Sequence, residues 1–212
     1  MNILIAGANG HTGRLLVEKL GKSKEHDVFA MIRKPEQADE LKNLGAKDAV
    51  ISDLEGDVSD APKGMDVVIF AAGSGSKTGP EKTVSVDEEG NNKLVDASKA
   101  HGVKHYIILS AIGVENPGGK IKHYAEAKKN ADEHLKASGL TYTVVRPGGL
   151  TFDKGTGKVE AKEKLEDPGS RDIPREDVAD VMIASITEEN AKNKTFELLS
   201  GNDTIEDALK AL

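Results

Sequence analysis

Apolar and polar positions along this chain follow two periods that take turns from one end to the other. Residues 2–6, 28–33, 46–52, 66–71, 105–110, 142–146 and 195–199 are short runs rich in Val, Ile and Leu and read as strands. Between them, residues 14–20, 36–44, 91–101, 125–138 and 176–187 repeat apolar side chains every three or four positions, the period of an amphipathic helix. Gly21, Gly45, Gly102 and Gly139 follow four of these stretches, where a helix C-terminus favours glycine.

Strand alternating with helix implies a parallel sheet with right-handed crossovers, because each helix must carry the chain back before the next strand begins. Val67-Val-Ile-Phe70 and Tyr106-Ile-Ile-Leu109 are apolar along most of their length, as strands covered on both faces are. The expected fold is therefore α/β, a Rossmann-type, doubly wound, mostly parallel sheet with helices on both faces. Residues 73–80 (GSGSKTGP) follow a strand and read as a loop at the carboxyl edge of the sheet, where ligands bind in such folds. From Thr151 to Ile173 the pattern weakens into charged, glycine-containing sequence, and a small substrate-side region is expected from 151–175 and the C-terminal segment.

Composition narrows the function. A length of 212 residues suits a single domain over 1–212, and 37% hydrophobic with 31% charged residues describes a well-hydrated surface around an aliphatic core. The net charge of −7 argues against a nucleic-acid surface, which needs clustered Lys and Arg. There is no cysteine, so no disulfide, thiolate metal site or cysteine nucleophile. No apolar run reaches the roughly 18 residues of a membrane span, and the N-terminus enters a strand without a basic-then-apolar leader. The expected setting is cytoplasmic, with a small-molecule substrate, no nucleic acid, no membrane and no metal; the oligomeric state is open. His101 and His105 are separated by Gly102-Val103, which breaks the helix, so they do not make a metal pair.

Gly7-Ala8-Asn9-Gly10-His11-Thr12-Gly13 follows the first strand and opens the first helix. The first glycine permits the tight turn, the second lets backbone approach a pyrophosphate, and the third lets helix pack on strand. The N–H groups and positive dipole end of that helix then receive the phosphates. About 20 residues beyond the last glycine an NAD-selective protein carries an acidic side chain for the ribose 2′-hydroxyl. This chain has Arg33-Lys34 there, suited to a 2′-phosphate, so NADP(H) is expected over NAD(H).

Tyr124 and Lys128 are i, i+4 on a helix and share one face. A cation beside a phenol favours the phenolate, and such a phenol can exchange a proton with a substrate oxygen while the cofactor exchanges hydride. Ser110, ending the preceding strand, is placed to hydrogen-bond the same oxygen.

With these motifs the sequence resembles the short-chain dehydrogenase/reductase superfamily over nearly its whole length, and its GxxGxxG opening looks like the extended and atypical branches. The resemblance implies Tyr124 as catalytic acid/base, Lys128 as its partner and ribose ligand, and Ser110 as substrate-oxygen donor. It also implies that Asp53-Leu54 holds the adenine, that Ala71-Ala72-Gly73 passes the cofactor, and that a loop at Arg146-Pro147-Gly148 flanks the nicotinamide. The family's fourth catalytic position is Asn, and Asp87 stands at the match here. The short stretch after Pro147 points to small atypical members, which are epimerase/dehydratase-like, flavin or biliverdin reductase-like, or NmrA-like, a group that often keeps the cofactor while its tetrad erodes. The leading reading is an NADP(H)-dependent oxidoreductase acting on a compact carbonyl, quinone or flavin-like acceptor. The alternatives are a non-catalytic NADP(H) sensor that presents a surface to a partner protein, and a small epimerase or dehydratase.

Overall fold

A computed structural model describes residues 1–73, 79–115, 122–166 and 172–212. Residues 74–78 of the loop expected over 73–80, and 167–171 of the expected substrate-side region, lie outside the described residues.

All seven expected strands form: β1 (Asn2–Ala6), β2 (Asp27–Ile32), β3 (Asp48–Ile51), β4 (Val67–Phe70), β5 (His105–Leu109), β6 (Tyr142–Pro147) and β10 (Lys194–Ser200). Four short strands were not expected: β7 (Gly149–Thr151), β8 (Lys158–Lys162), β9 (Asp172–Pro174) and β11 (Asp203–Thr204). The irregular reading of 151–173 is thus corrected in part. In β8 the charged sequence Lys-Val-Glu-Ala-Lys hides a period of two, with Val159 and Ala161 buried while Lys158 and Lys162 face solvent. Arg146 and Pro147 end β6 and do not form a loop after it.

The helices are α1 (His11–Gly21), α2 (Ala38–Leu44), the short α3 (Pro80–Lys82), α4 (Asn91–Ala100), α5 (Lys122–Ala137), α6 (Arg175–Ala184) and α7 (Ile205–Lys210). A π-helix over Thr83–Gly90 joins α3 to α4. Among the described residues, no helix is long and apolar enough to cross a membrane.

Nine strands of the described residues form one sheet in the order β11-β8-β10-β6-β5-β4-β1-β2-β3, and β7 pairs with β9 in a separate ribbon. From β3 across to β10 every pairing is parallel, while β8 is antiparallel to both its neighbours. β1 explains the two-layer cover: Ile3 and Ile5 pack with Leu16, Val17 and Leu20 of α1 and Val178 and Met182 of α6. Leu4 and Ala6 point the other way, into a cluster with Leu94 and Val95 of α4 and Ala131 and Leu135 of α5. The fold is a Rossmann-like α/β sheet. Its chain steps outward from β1 through β2 to β3 on one side and from β4 through β6 to β10 on the other. The reversal between β1 and β4 opens a crevice at the carboxyl ends of the strands.

Candidate functional site

The turn after β1 is shaped by close backbone approach. Gly7 has φ +79°, and a Cβ there would lie 2.5 Å from Ala72 Cα, across the crevice on the end of β4. A Cβ on Gly13 would lie 2.1 Å from the Gly7 carbonyl oxygen, so α1 can sit this close to the turn only with glycine. Gly10 differs: its φ of −76° suits any residue, and the one neighbour of its missing Cβ is the Gly7 oxygen at 3.2 Å. Gly7 and Gly13 therefore serve the fold, while Gly10 leaves open an exposed cradle at the start of α1. No side chain caps that start and no acidic residue stands in the first turn, which fits the diphosphate of a dinucleotide. Asn9 is exposed and its Oδ1 accepts from Arg14 at 2.9 Å; Arg14 also binds Glu40 at 2.6 Å and ties the turn to α2. Thr12 is buried, and His11 is exposed.

On the β2–β3 side Arg33 and Lys34 are exposed, and among the described residues no carboxylate pairs with either. Asp53 is exposed and accepts the Glu55 N–H at 3.0 Å. Leu54 is buried beneath the π-helix, where a Cβ on Gly90 would come 2.8 Å from Leu54 Cβ. Glu55 is held below the usual carboxylate range first by Lys82 and Ser85, with the Arg33 charge adding to them. These residues can hold the adenine end of a dinucleotide, with the exposed cations Arg33 and Lys34 on the same side. Ala71, Ala72 and Gly73 continue from β4 along the crevice, and Gly73 sits beside Asp87, whose Oδ1 would lie 3.4 Å from a Cβ.

Tyr124, Lys128 and Asp132 repeat every four residues along one face of α5. Tyr124 is exposed, whereas Lys128 and Asp132 are buried. The Lys128 ammonium lies 3.0 Å from Asp87 Oδ1 and donates to the Leu109 carbonyl at 3.1 Å. It also sits 5.9 Å from the ring centres of Tyr124 and Phe70. Burial opposes that charge, but Asp87, Tyr124 and Asp132 outweigh it and hold the Lys128 pKa above its ordinary value. Asp87 comes from the π-helix, a form frequent at functional sites.

Ser110 points elsewhere. Its hydroxyl donates to Asp132 Oδ2 at 2.9 Å, and the same oxygen accepts from Arg146 Nε at 3.0 Å and pairs with Nη2 at 2.9 Å. Among the described residues no hydrogen bond joins Ser110 to Tyr124. Arg146 closes the network through Glu115 at 2.6 Å. Burial pushes the Asp132 carboxyl up, against the pull of Arg146 and Ser110. The Arg146 guanidinium is destabilised by its own burial, but Asp132 and Glu115 more than offset this and raise its pKa. Sequence reasoning missed Asp132, Arg146 and Glu115 as members of one network. A signal for the first was present, since Asp132 continues the four-residue series of Tyr124 and Lys128. Pro147 and Gly148 stitch the strand ends, Pro147 accepting from the Ile112 N–H at 2.9 Å and Gly148 donating to Leu198 at 3.0 Å. Among the described residues no cluster of His, Asp and Glu is arranged to hold a metal ion.

A family model described as NAD(P)H-binding matches residues 7–189. An uncharacterized sugar epimerase of Bacillus subtilis is 43% identical, with the alignment covering 100% of both chains. A Bacillus halodurans structure assigned as an NAD-dependent epimerase/dehydratase superposes with a TM-score of 0.95 at 40% identity, covering 100% of each chain. An oxidoreductase structure from Lactococcus lactis gives 0.86 at 30% identity, covering 100% of this chain and 96% of that one.

Proposed function

The chain belongs to the NAD(P)H-binding family, and from that premise we propose that it is an NADPH-dependent reductase of a small carbonyl, quinone or flavin-like acceptor. The observation that carries this reading is the union of two halves on one sheet edge: the glycine cradle on β1 and the exposed phenol of Tyr124 above a buried ammonium on α5. The relationship to the Lactococcus lactis oxidoreductase supports it. A protein that only senses the dinucleotide has no use for a proton donor on that edge.

Asn9, Gly10, His11 and Thr12 would hold the diphosphate on the turn that Gly7 and Gly13 keep tight, Arg33 and Lys34 the 2′-phosphate, and Asp53 and Leu54 the adenine side. Ala71, Ala72, Gly73, Pro147 and Gly148 would line the path to the nicotinamide. When bound, the dinucleotide supplies the hydride. Tyr124 gives a proton to the acceptor oxygen, with the Lys128 ammonium 5.9 Å from its ring centre. Asp87 keeps Lys128 charged and fixed under Tyr124. The Ser110 proton is directed at Asp132, so Ser110 meets a ligand chiefly as an acceptor, and Asp132 holds that orientation through Arg146.

The test is an NADPH oxidation screen over aldehydes, quinones and free flavins, run in parallel with NADH. Turnover with a preference for NADPH is the expected result. Micromolar NADPH binding without turnover of any acceptor would favour a sensor. Interconversion of a sugar without net NADPH consumption would favour an epimerase, the activity in the Bacillus subtilis relative's name.

A further inference from the structure

A cleft of about 380 Å³ opens where α1 and α6 begin, and apart from His11 its lining residues carry no role in the function proposed above. His11, Phe152, Asp153, Lys154, Arg175 and Glu176 are among its lining residues. Phe152 is 74% exposed. Its ring is nevertheless held in place. His11 meets it edge-on with 4.9 Å between ring centres, and the Arg175 guanidinium lies 4.1 Å over its centre.

Arg175 donates from Nη1 to the Leu150 carbonyl at 2.9 Å, and among the described residues no carboxylate pairs with it. Partial burial lowers its pKa, so the cation is short of solvation. The acid beside it is already committed: Glu176 binds Lys19 at 3.1 Å and accepts the Gly155 N–H at 2.8 Å. Asp153 and Lys154 offset each other in charge. The wall is also fixed, because Asp177 accepts the N–H groups of Thr156 at 3.0 Å and Gly157 at 2.8 Å and pins that loop to α6.

We propose that this cleft is the acceptor pocket, and that it selects a planar aromatic molecule bearing an anionic group, the anion on Arg175 and the ring along Phe152 and His11. The proposal rests on the reductase reading and names its substrate class. A guanidinium with open donors in a partly desolvated wall binds a carboxylate or phosphoryl group with two directed hydrogen bonds. The aromatic pair supplies a flat apolar face. His11 is the first residue of α1, so the cleft begins where the glycine turn ends.

Riboflavin and FMN serve as probes, since they share one ring system and differ by a phosphoryl group. Flavin fluorescence is titrated with the protein alone and with saturating NADP⁺, which prevents reduction. FMN should bind ten- to a hundredfold more tightly than riboflavin, the span of a charge-assisted contact. Arg175→Gln should abolish that preference and leave riboflavin binding unchanged. Arg175→Lys should restore part of it, and Phe152→Ala should weaken both probes alike; circular dichroism verifies that each variant folds. Equal affinities in the wild type, no binding of either flavin, or a preference that survives Arg175→Gln overturns the proposal. So does a loss of NADP⁺ affinity in Arg175→Gln with 2′,5′-ADP unaffected, which would assign the cleft to the cofactor's far phosphate and leave the reductase reading intact. Failure of NADP⁺ to bind while the Arg175-dependent preference persists would instead sink the reductase reading and keep the cleft's selectivity.

Discussion

Lys128 and Asp87 form an ion pair at 3.0 Å that is closed off from water, with 4% and 0% of their side chains exposed. The π-helix brings the acid to the lysine, and the Leu109 carbonyl takes another ammonium hydrogen. A carboxylate stands where the resembling family keeps an amide. It neutralises a charge that burial alone would expel.

Removing one partner of such a pair leaves the other charged and buried. Asp87→Ala is therefore expected to cost about 3–5 kcal/mol of stability. Asp87→Asn keeps a hydrogen-bond acceptor for the ammonium and should cost clearly less. Urea unfolding of the two variants provides the comparison. An Asp87→Ala protein as stable as wild type would mean that the pair contributes nothing to the fold.

The glycines of the turn should separate by role. Gly13→Ala places a methyl carbon 2.1 Å from the Gly7 oxygen and should destabilise or unfold the chain. Gly10→Val meets only one oxygen at 3.2 Å and has an ordinary φ, so it should fold while losing cofactor binding through its occupied cradle. Circular dichroism and NADPH titration together read both halves. A Gly10→Val protein that still binds NADPH would remove the cradle from the cofactor site.

The alternation of β and α segments was legible because most of the strands carry an apolar run and each helix a periodic one. So was the cradle, which depends on local spacing of glycine. The π-helix was not: TVSVDEEG has no local mark of it, and what accompanies it is tertiary, Gly90 pressed on Leu54 and Asp87 drawn to Lys128. Tyr124 and Lys128 could be read as a pair from their spacing. The direction of the Ser110 hydroxyl could not, because it is set by Asp132 and Arg146 from two other elements. β8 escaped notice because its alternation is written in charged residues around Val159 and Ala161.

Cofactor preference is the next expectation. Arg33 and Lys34 are exposed, and among the described residues neither is ion-paired with a carboxylate, so a 2′-phosphate can recruit them without breaking an existing pair. NADPH should bind ten- to a hundredfold more tightly than NADH, about 1.5–3 kcal/mol for charge-assisted contacts, and Arg33→Ala should narrow the gap. Calorimetric titration of both dinucleotides decides the point. Equal affinities in the wild type would discard the assignment.

His105 should give stability a pH dependence. Its Nε2 lies 2.9 Å from Thr143 Oγ1, whose own proton goes to the Ala191 carbonyl at 2.8 Å. The ring nitrogen must then be the donor, and burial, helped by the Lys192 charge, lowers the pKa from 6.5 to about 4. A folded-state value below the unfolded one means that the unfolded chain takes up the proton first. The contribution of His105 is complete above about pH 6.5 and declines as pH falls towards 4, by up to about 3 kcal/mol. Urea midpoints at pH 7.5, 6 and 5 should fall more steeply for wild type than for His105→Gln. Parallel slopes would show that the imidazole is not the titrating group.

Tyr124 and Ser110 differ in what their hydroxyls can reach. Tyr124 is 37% exposed on the site edge, with the Lys128 ammonium 5.9 Å from its ring centre, while the Ser110 hydroxyl is spent on Asp132 at 2.9 Å. If the phenol is the proton donor for a carbonyl acceptor, Tyr124→Phe should lower kcat by about 10²–10⁴-fold and leave NADPH affinity nearly unchanged. Ser110→Ala should behave differently. It removes one of the bonds to Asp132, so its main effect should be a loss of about 1–3 kcal/mol in stability, with kcat reduced less than tenfold. A family-like mechanism in which the serine donates to the substrate oxygen predicts the reverse weighting, a large kcat loss in Ser110→Ala. The acceptor also matters. A quinone or flavin can take its proton from water after hydride transfer, and with such an acceptor Tyr124→Phe should cost little. Steady-state kinetics of both variants on one carbonyl and one quinone, paired with urea unfolding, separates these cases. A Ser110→Ala enzyme of wild-type stability but crippled carbonyl turnover would show that the hydroxyl swings from Asp132 to the substrate during catalysis.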